Sequence, residues 1–426
     1  MPKYVIIGGS AAGIGAVEAI RDVDPVGAIV IISEEFCPQY SRPMISDFIS
    51  GKATFPEMMC RENDFWNKKK VTALIGRKAL TINFQEKHVT LDNGDRVVYE
   101  KLLIATGGKP FSPRIEGAEK EGVFTFTTIS DAERLAEKLK NAKSVVVIGG
   151  GLIGVSVTEA LVNRGLKVTL VELQDKLLNL LLDTKSSEIM EDIMSRAGVS
   201  IVTGQSVQKI IDNPKNDKAV GGVILTKGNQ IACDAVIIAI GVVPRTELVT
   251  GTELNLNRGI IVDNFMKTNL PDVYSSGDVA ETWDFTLNQN RMLPLWPLAM
   301  SQGKVAGYNM AGKKTEYSGG TNMSSLKYFG MPMVSIGITN PKDPTTFEIL
   351  TKHEPERNLY KKVVLKDNIV VGIILVNDIE RAGTLFYLMK NRVNVKRFKR
   401  ELISETFGLA ALPASLRKTM CLGCVQ

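Results

Sequence analysis

The sequence is poor in cysteine and histidine, and it has no long apolar run. Its 426 residues include only five cysteines and two histidines. Cysteines so few and so scattered exclude a disulfide framework, and two histidines leave little room for histidine metal sites or acid–base pairs. No apolar run reaches the roughly 20 residues of a membrane-spanning helix, and the start, MPKYVIIGGS, lacks the layout of a signal peptide. We therefore expect a cytoplasmic protein with no membrane segment.

Charge is unevenly distributed along the chain. The net charge is +6, and residues 355–426 carry thirteen Lys and Arg against six Asp and Glu. Such a segment is a solvated basic face, a docking surface for an acidic partner, or a nucleic-acid site. The basic stretch KNRVNVKRFKRE contains a single aromatic residue, Phe398, whereas nucleic-acid sites commonly combine cations with aromatic residues. We therefore rank nucleic acid last and expect no nucleic-acid partner.

One pattern occurs twice in the chain. Residues 3–35 (KYVIIGGSAAGIGAVEAIRDVDPVGAIVIISEE) and 143–173 (KSVVVIGGGLIGVSVTEALVNRGLKVTLVEL) each read as an apolar strand, a glycine-rich turn, a helix-period segment and a second strand that ends at an acid. A single GxGxxG match is weak evidence for nucleotide binding. Two complete units in one chain are strong evidence for two Rossmann-like dinucleotide-binding domains.

In the second copy, each glycine has a separate physical role. Gly149 allows the tight turn, Gly151 lets the backbone approach a pyrophosphate, and Gly154 lets the helix pack closely on the strand. Glu172 ends the second strand, where a carboxylate accepts a hydrogen bond from a ribose 2′-hydroxyl and repels a 2′-phosphate. The next residues, LQDK, contain no early Arg, so we expect NADH rather than NADPH. The candidate NAD(H) residues are Gly149, Gly151, Leu152, Ile153, Gly154, Glu172 and Gly241.

The first copy differs at one position, where a serine takes the place of the middle glycine. Its turn consists of Gly8, Gly9, Ser10 and Gly13. Serine is small enough to keep the backbone approach possible. The acidic partner is Glu34 or Glu35, and we favour Glu34. The alternative, two Rossmann-like units that bind nothing, does not explain why both units end in an acid.

The second unit interrupts the first. Residues 77–110 read as a β-meander with a turn at Asn93–Gly94, leading into a buried strand before ATGGKP. The stretch DAVIIAIGVVPRTEL closes the second unit, and VDNFMKTNLPDVYSSGDVAET resumes the first near residue 250. We therefore expect an α/β fold in which one Rossmann-like domain is inserted in the other.

These motifs resemble those of the pyridine nucleotide-disulfide oxidoreductase superfamily over roughly residues 3–312. GGSAAG is similar to the FAD pyrophosphate turn, ATGGKP to the segment after the meander, GGGLIG to the NAD turn, and VYSSGDVAE to the second FAD motif. The resemblance implies that Asp278 holds the ribityl hydroxyls of FAD and that the helix in LPLWPLAMSQGKVAGYNMAG lies under the isoalloxazine. It implies an FAD-binding domain at residues 1–112 and 250–317 and an NAD-binding domain at 113–249.

The cofactors that the resemblance implies are FAD and NAD(H). The FAD residues that it implies are Gly8, Gly9, Ser10, Ala12, Gly13, Glu34, Glu35, Arg42, Ala105, Thr106, Gly107, Gly277, Asp278 and Pro297.

Departures from the superfamily's pattern narrow the expected chemistry. Dithiol members carry a CxxxxC pair, which this sequence lacks, and single-cysteine members place their cysteine where Pro43 falls, six positions after Cys37. The C-terminal His-Pro base is also missing, because His353 lies in the polar stretch KHEPE, which we predict to be an exposed loop. We therefore expect neither disulfide nor peroxide chemistry, and we interpret Cys37 as a bystander.

The stretch QYSRPMIS resembles the rubredoxin reductase and nitrite reductase large-subunit branch, in which a Tyr-x-Arg/Lys-Pro segment lies beside the flavin. The resemblance implies that Arg42 is the catalytic cation near flavin N5, where it stabilises negative charge on the reduced ring, and that Pro43 fixes its turn. The alternative for Arg42 is a surface salt bridge. Relatives often carry Glu where this sequence has Ser156, so we expect Arg42 to lack a carboxylate partner and to favour anionic flavin.

Residues 318–426 read as strands followed by helices, an α+β domain that resembles the interface domain of the same branch and implies a homodimer. The tail TMCLGCVQ holds Cys421 and Cys424 as CxxC. Two thiolates at this spacing supply half of a zinc or iron–sulfur site or cycle as a dithiol. Three interpretations stay open: a tail without a role, half of an intersubunit metal site, or a contact close to a partner's cluster.

The sequence thus predicts an FAD-dependent NADH oxidoreductase. Hydride would move between nicotinamide C4 and flavin N5, and single electrons would pass to a small acidic iron–sulfur (ferredoxin-like) or rubredoxin-type protein docked near the basic C-terminal domain. The direction can reverse, with the chain as a subunit or partner of a larger redox enzyme. One alternative is an NADH oxidase or diaphorase that uses oxygen or small molecules. Another is a flavoprotein whose NADH-induced rearrangement regulates a partner, as in the apoptosis-inducing-factor branch.

Overall fold

The computed structural model describes residues 2–414, 416 and 417 of the chain. The chain forms two compact units. The first comprises Met1–Ser112, Phe126–Ala136 and Gly241–Gly320, and the second comprises Pro113–Thr125, Glu137–Ile240 and Thr321–Gln426. The CxxC pair of Cys421 and Cys424 lies outside the described residues.

The strands are, in chain order, β1 Tyr4–Ile7, β2 Ile29–Ser33, β3 Val71–Ile75, β4 Ala79–Asn83, β5 His88–Leu91, β6 Arg96–Val98, β7 Lys101–Ile104, β8 Gly108–Pro110, β9 Val123–Thr125, β10 Ser144–Ile148, β11 Lys167–Val171, β12 Ser200–Val202, β13 Val207–Asn213, β14 Asn216–Leu225, β15 Gln230–Ala232, β16 Ala235–Ile238, β17 Val242–Pro244, β18 Ile260–Ile261, β19 Val273–Ser275, β20 Ala280–Asp284, β21 Gln289–Met292, β22 Met323–Tyr328, β23 Met331–Gly337, β24 Glu348–Glu354, β25 Leu359–Lys366 and β26 Ile369–Val376. The α-helices are α1 Ala11–Val23, α2 Ile45–Ser50, α3 Phe65–Lys68, α4 Ile129–Leu139, α5 Leu152–Asn163, α6 Thr184–Arg196, α7 Trp296–Met310 and α8 Ala382–Lys390. Short 3-10 turns lie at Arg42–Met44, Pro56–Met58, Pro344–Thr346, Pro355–Arg357, Lys399–Ile403 and Leu409–Ala411.

A parallel sheet in the order β19-β7-β1-β2-β3 organises the first unit. Its central strand β1 pairs with β2, where Tyr4 lies opposite Ile29, and with β7, where Tyr4 lies opposite Lys101. Both β1 and β2 are buried along their whole length, as expected of a parallel sheet covered on both faces. The strand–turn–helix–strand prediction for residues 3–35 is therefore confirmed.

Helix α7 packs directly against the backbone of α1. A Cβ atom at Gly303 or Gly307 would collide with the carbonyl oxygen of Ala12 or Ala16, so glycine at these positions allows the close approach. The predicted meander is the antiparallel sheet β4-β5-β6. Two smaller sheets, β18-β20-β21 and β8-β17, complete the sheets of this unit.

The second unit contains a parallel sheet of its own, in the order β12-β11-β10-β16-β9. The antiparallel sheet β13-β14-β15 contributes to the same hydrophobic core, in which Val146 and Ile148 of β10 cluster with Ile210 of β13 and Val223 of β14. The second strand–turn–helix–strand prediction is confirmed by β10, α5 and β11.

The C-terminal part of the second unit is an antiparallel sheet in the order β22-β23-β26-β25-β24, followed by α8. This agrees with the prediction of strands followed by helices. The prediction of a loop around His353 is wrong, because His353 lies in β24, opposite Tyr360 of β25. Strand β24 is at the edge of the sheet, and its residues are mostly polar and mostly exposed. Such a sequence resembles that of a loop, although the backbone of the strand is hydrogen-bonded on one side.

The predicted fold class is confirmed: an α/β chain with two Rossmann-like parallel sheets and a C-terminal antiparallel sheet domain. The predicted domain boundaries stay predictions. Among residues 2–414, 416 and 417, no helix combines the length and the apolar character needed to cross a membrane. The cytoplasmic location and the homodimer stay predictions.

Candidate functional site

The first glycine-rich turn joins β1 to α1. Gly8 has a φ of +116°, which glycine adopts at little cost, and a Cβ atom there would collide with the carbonyl oxygen of Ala105. A Cβ atom at Gly13 would collide with the carbonyl oxygen of Gly8. Ser10 is the N-cap of α1, its side chain makes no capping hydrogen bond, and the first helical turn has no acidic residue. This helix end therefore suits an anion such as a pyrophosphate.

The second glycine-rich turn, between β10 and α5, has the same construction. Gly149 has a φ of +107°, and a Cβ atom there would lie 2.6 Å from the carbonyl oxygen of Ala239. A Cβ atom at Gly154 would collide with the carbonyl oxygen of Gly149, whereas one at Gly151 would meet open space. Gly151 is the N-cap of α5, and the first turn of that helix has no acidic residue. The open space at Gly151 is what a close approach of a pyrophosphate requires.

The carboxylate of Glu172 is fixed beside this second turn. One of its oxygens accepts a hydrogen bond from the backbone N–H of Gly150 at 2.5 Å, and the other accepts one from the backbone N–H of Gln174 at 2.7 Å. Each oxygen retains lone-pair capacity for a ribose hydroxyl. The arrangement fits the predicted role of Glu172 toward an NAD ribose.

The two acids after β2 have different partners. Glu34 is exposed and pairs with Arg245 at 2.8 Å and with Lys78 at 3.5 Å. Glu35 accepts a hydrogen bond from the hydroxyl of Tyr40 at 2.9 Å and forms an ion pair with Arg42. The expectation that Arg42 lacks a carboxylate partner is therefore wrong, because the partner lies seven residues upstream and not at the position that relatives use.

Arg42 makes further contacts that fix its guanidinium near the first turn. It donates to the carbonyl oxygen of Thr127 at 2.9 Å, and its Nε lies 3.5 Å from Ser10 Oγ. Its guanidinium carbon lies 5.5 Å from the centre of the Tyr40 ring. Burial lowers the pKa of Arg42, but the charge and hydrogen bond of Glu35, together with Tyr40 and Asp278, outweigh this effect and raise the pKa above its usual value. Arg42 is therefore a fixed, permanently charged group beside the N-terminus of α1.

The predicted ribityl ligand, Asp278, follows β19 in the same unit. Burial raises the pKa of Asp278 to about 6, and the charge of Arg42 opposes this rise. The backbone N–H of Gly277 donates to Gln302 Oε1 at 2.9 Å, which ties the turn to α7. The neighbouring Ser276 Oγ is buried and has no hydrogen-bond partner among the described residues. An unpartnered hydroxyl beside a half-buried carboxyl fits a polyol ligand such as the ribityl chain.

Gln302 is a residue of this site that none of the sequence motifs predicts. Its side chain is buried, and Nε2 donates to Thr282 Oγ1 at 3.0 Å while Oε1 holds the Gly277 turn. A polar residue on the covered face of α7 is the signal that could have pointed to it, since buried polar groups are hydrogen-bonded.

The remaining predicted FAD residues also lie in the first unit, and they are Gly9, Ala12, Ala105, Thr106, Gly107 and Pro297. Pro43 is exposed, within the 3-10 turn that Arg42 begins. Leu152 and Ile153 begin α5, next to the second turn. Gly241 belongs to the first unit and not to the unit that holds the second turn. The roles of all these residues stay predictions.

The two cysteines of the first unit, Cys37 and Cys60, are partly buried. Cys37 Sγ lies 3.8 Å from Met59 Sδ, and burial raises the pKa of the Cys37 and Cys60 thiols. A raised pKa keeps a thiol protonated and poorly nucleophilic, in agreement with the interpretation of Cys37 as a bystander. Within the described part of the chain, no group of three or more His, Cys, Asp and Glu could hold a metal ion.

Two family models match the chain. The model for the pyridine nucleotide-disulphide oxidoreductase family matches residues 2–303, and the model for the rubredoxin NAD+ reductase C-terminal domain matches residues 323–393.

Similar proteins cover nearly the whole chain. The NADH-dependent phenylglyoxylate dehydrogenase subunit epsilon of Aromatoleum evansii is 28% identical over 406 residues, 95% of each chain. The NADH-rubredoxin oxidoreductase of Clostridium acetobutylicum is 27% identical over 379 residues, 88% of this chain and 91% of that protein. The solved structure of a NAD-dependent persulfide reductase from A. fulgidus matches with a TM-score of 0.87 at 25% identity, over 98% of this chain and 83% of that chain.

Proposed function

The chain belongs to the pyridine nucleotide-disulphide oxidoreductase family, and we propose that it passes electrons between NAD(H) and a small acidic iron–sulfur or rubredoxin-type protein. As a member of this family it is an FAD-containing oxidoreductase that uses NAD(H). Its activity is NADH-linked electron transfer. The identity of the protein partner and the roles of individual residues are the parts that we propose.

In this proposal the residues of the first unit hold FAD. The first turn and the N-terminus of α1 bind its pyrophosphate, Asp278 accepts hydrogen bonds from the ribityl hydroxyls, and Glu35 fixes Arg42 for a place near the flavin ring. The second turn binds the NAD pyrophosphate, and Glu172 accepts from the ribose. A flavin bound there would supply the conversion between two-electron exchange with nicotinamide and one-electron exchange with the partner.

The observation that carries the choice of an acidic partner is a cluster of exposed cations around the end of α8. We call it the basic cluster, and it consists of Lys390, Arg392, Lys396, Arg397 and Arg400. None of the five has an ion-pair partner among the described residues. The nearby Lys399, in contrast, is neutralised by Glu348 at 2.7 Å. Cations without internal partners are available to attract and orient an acidic protein.

The relatives support a protein partner. One is named an NADH-rubredoxin oxidoreductase, and the C-terminal sheet matches the model of a rubredoxin NAD+ reductase C-terminal domain. Another is named as a subunit of an NADH-dependent dehydrogenase. We therefore also propose that the chain works with, or within, a larger redox enzyme, in either direction of electron flow.

Anaerobic reduction followed by reoxidation tests this proposal. The purified yellow protein is reduced with NADH and then mixed in parallel with a ferredoxin, a rubredoxin and air-saturated buffer, and the recovery of flavin absorbance is followed. Reoxidation by an iron–sulfur or rubredoxin partner that is much faster than by air supports the proposal. Reoxidation by air as fast as by any protein would make the chain an NADH oxidase.

Charge reversal in the basic cluster sharpens the test. Arg397→Glu with Arg400→Glu should slow reoxidation by the protein partner about tenfold or more at low salt, since interfacial charge mainly changes the association rate. Reoxidation by ferricyanide should stay unchanged in this variant. The matched control is Lys215→Glu with Lys227→Glu, two exposed cations of the β13-β14-β15 region. An equal loss in both variants would contradict docking at the basic cluster.

A further inference from the structure

A loop of the second unit, residues 177–183, packs against the second glycine-rich turn at Gly150. The backbone N–H of Leu178 donates to the carbonyl oxygen of Gly150 at 2.8 Å. The side chain of Leu177 covers Gly150 so closely that a Cβ atom there would collide with it. Leu178 has a φ of +51°, an unfavourable conformation for a leucine, which persists only where surrounding contacts impose it. We call this segment the backing loop.

Strand β23 of the C-terminal sheet and the segment that follows it bind backbone carbonyl groups at the far end of the backing loop. Ser335 of β23 donates through its buried hydroxyl to the carbonyl oxygen of Leu181 at 2.7 Å. Asn340 donates through its side-chain amide to the carbonyl oxygen of Leu182 at 2.8 Å. Two consecutive carbonyl groups of the loop are therefore bound by side chains, one from β23 and one from the segment that follows this strand.

The last residue of the backing loop, Asp183, is held by charge. Lys362 Nζ lies 2.9 Å from Asp183 Oδ2, and the hydroxyl of Tyr360 donates to the same oxygen at 2.6 Å. Lys362 is only 7% exposed. Burial raises the pKa of Asp183, but the hydrogen bonds from Tyr360, Lys362 and Ser186 together outweigh it and lower the pKa. The carboxylate therefore stays charged and paired with a buried ammonium.

The C-terminal sheet also makes a hydrogen bond next to the second glycine-rich turn that does not involve the backing loop. The hydroxyl of Tyr328, at the end of β22, donates to the carbonyl oxygen of Leu152 at 3.3 Å. Leu152 is the first residue of α5, and it follows Gly151 directly. The C-terminal sheet thus directly contacts the residue that follows the second turn, and it reaches the turn itself through the backing loop.

We propose that the C-terminal sheet positions the NAD-binding turn, through the backing loop and Tyr328, so that Ser335, Tyr360 and Lys362 are positioning residues for the dinucleotide. This inference rests on the proposed binding of NAD at the second turn. Loss of these contacts would let residues 177–183 move, and Gly150 would lose its contacts with Leu177 and Leu178. The expected effect is weaker dinucleotide binding with little change in the chemical step.

The strand β25 contains a matched control for this test. Adjacent residues of a strand face opposite sides, and Lys361 is also buried, at 2% exposure, where it pairs with Asp378 at 2.7 Å. Lys361 and Lys362 are therefore both buried, and each forms an ion pair with one carboxylate. Only Lys362 contacts the backing loop.

The experiment compares Lys362→Met with Lys361→Met as FAD-loaded proteins. Each is titrated with NAD+ in the oxidised state, and its KM for NADH and its kcat are measured with ferricyanide. Lys362→Met should raise the Kd for NAD+ and the KM for NADH about threefold to tenfold, the range seen for coupling through side-chain networks, at an unchanged kcat. Lys361→Met should lower thermal stability but leave both constants unchanged.

Two further variants separate positioning from stability. Asp183→Asn with Lys362→Met removes the uncompensated charge and should restore thermal stability without restoring affinity. Tyr360→Phe removes one neutral hydrogen-bond donor to Asp183 and leaves the ion pair with Lys362 in place. It should raise the Kd for NAD+ less than Lys362→Met does. Equal Kd values in wild type, Tyr360→Phe and Lys362→Met would overturn this inference alone. A wild-type protein that binds no NAD+ would overturn the proposed function as well.

Discussion

Removal of the Glu172 carboxylate should change the choice between NADH and NADPH. Its two oxygens accept from Gly150 N–H at 2.5 Å and Gln174 N–H at 2.7 Å, so the charge is fixed at the end of β11. A fixed carboxylate favours a ribose hydroxyl and repels a phosphate on the same oxygen. Glu172→Ala should therefore weaken the use of NADH and leave or improve the use of NADPH.

The size of the effect follows from the kind of bond that is lost. A hydrogen bond to a charged group contributes about 1.5–3 kcal/mol. Loss of one such bond to the ribose corresponds to a fall in kcat/KM for NADH of about 10- to 150-fold. Because NADPH loses no such bond, the ratio of the two kcat/KM values should fall by at least this factor. Glu172→Gln retains one acceptor oxygen without the charge and should give an intermediate fall.

Steady-state kinetics with ferricyanide as acceptor measure kcat/KM for NADH and for NADPH, on samples matched for FAD content. The ratio of kcat/KM for NADH to that for NADPH is compared in wild type, Glu172→Gln and Glu172→Ala. A ratio that stays the same in Glu172→Ala would refute the argument that this carboxylate contacts the ribose. If both nucleotides lose activity equally, Glu172 acts only through its support of the turn.

Four further outcomes are expected. Gly154→Ala places a Cβ atom against the carbonyl oxygen of Gly149; overpacking costs about 1–3 kcal/mol, so thermal unfolding should show a lower Tm and titration a weaker affinity for NAD+. Burial raises the pKa of Asp278 to about 6, so fluorescence titration of the apoprotein should show weaker FAD binding at pH 5, where the carboxyl is protonated, than at pH 7, and Asp278→Asn should remove this difference. Arg42→Met should lower the two-electron flavin potential by about 30 mV, the equivalent of about 1.4 kcal/mol, and an unchanged potential in redox titration would contradict a place for Arg42 near the flavin. Cys37→Ser should leave kcat/KM for NADH unchanged, and a large loss would show that this thiol takes part in the chemistry.

The two glycine-rich turns could be predicted from the sequence because short-range geometry determines them. Gly149 and Gly154 are five residues apart, and their backbones approach each other so closely that no side chain fits between them. The strand and helix of the unit have standard lengths, which brings Glu172 to the same end of the sheet. These residues come together within one helix and two adjacent strands, so their spacing can be recognised in a single sequence.

The partner of Arg42 could not be predicted in this way. The sequence shows Glu35 as an acid at the end of a strand, which is the pattern of a ribose ligand, and the carboxylate was expected at the position of Ser156. The pairing depends on the path of residues 35–42, and that path is held by contacts such as the hydrogen bond from Arg42 to Thr127, 85 residues along the chain. Loop paths that rest on such distant contacts leave no periodic signal.

The strand LYKKVVLK shows how a sequence can require a contact without identifying the partner. Adjacent strand residues face opposite sides, so Lys361 and Lys362 cannot share one solvent-exposed face, and the structure buries β25 on both sides. A buried lysine needs a carboxylate, because an unpaired charge in the interior is strongly destabilising. Two carboxylates are therefore required, one for each face. Asp378 follows β26, the neighbouring strand, but Asp183 lies 179 residues from Lys362, and only the folded second unit brings that pair together beside the nucleotide turn.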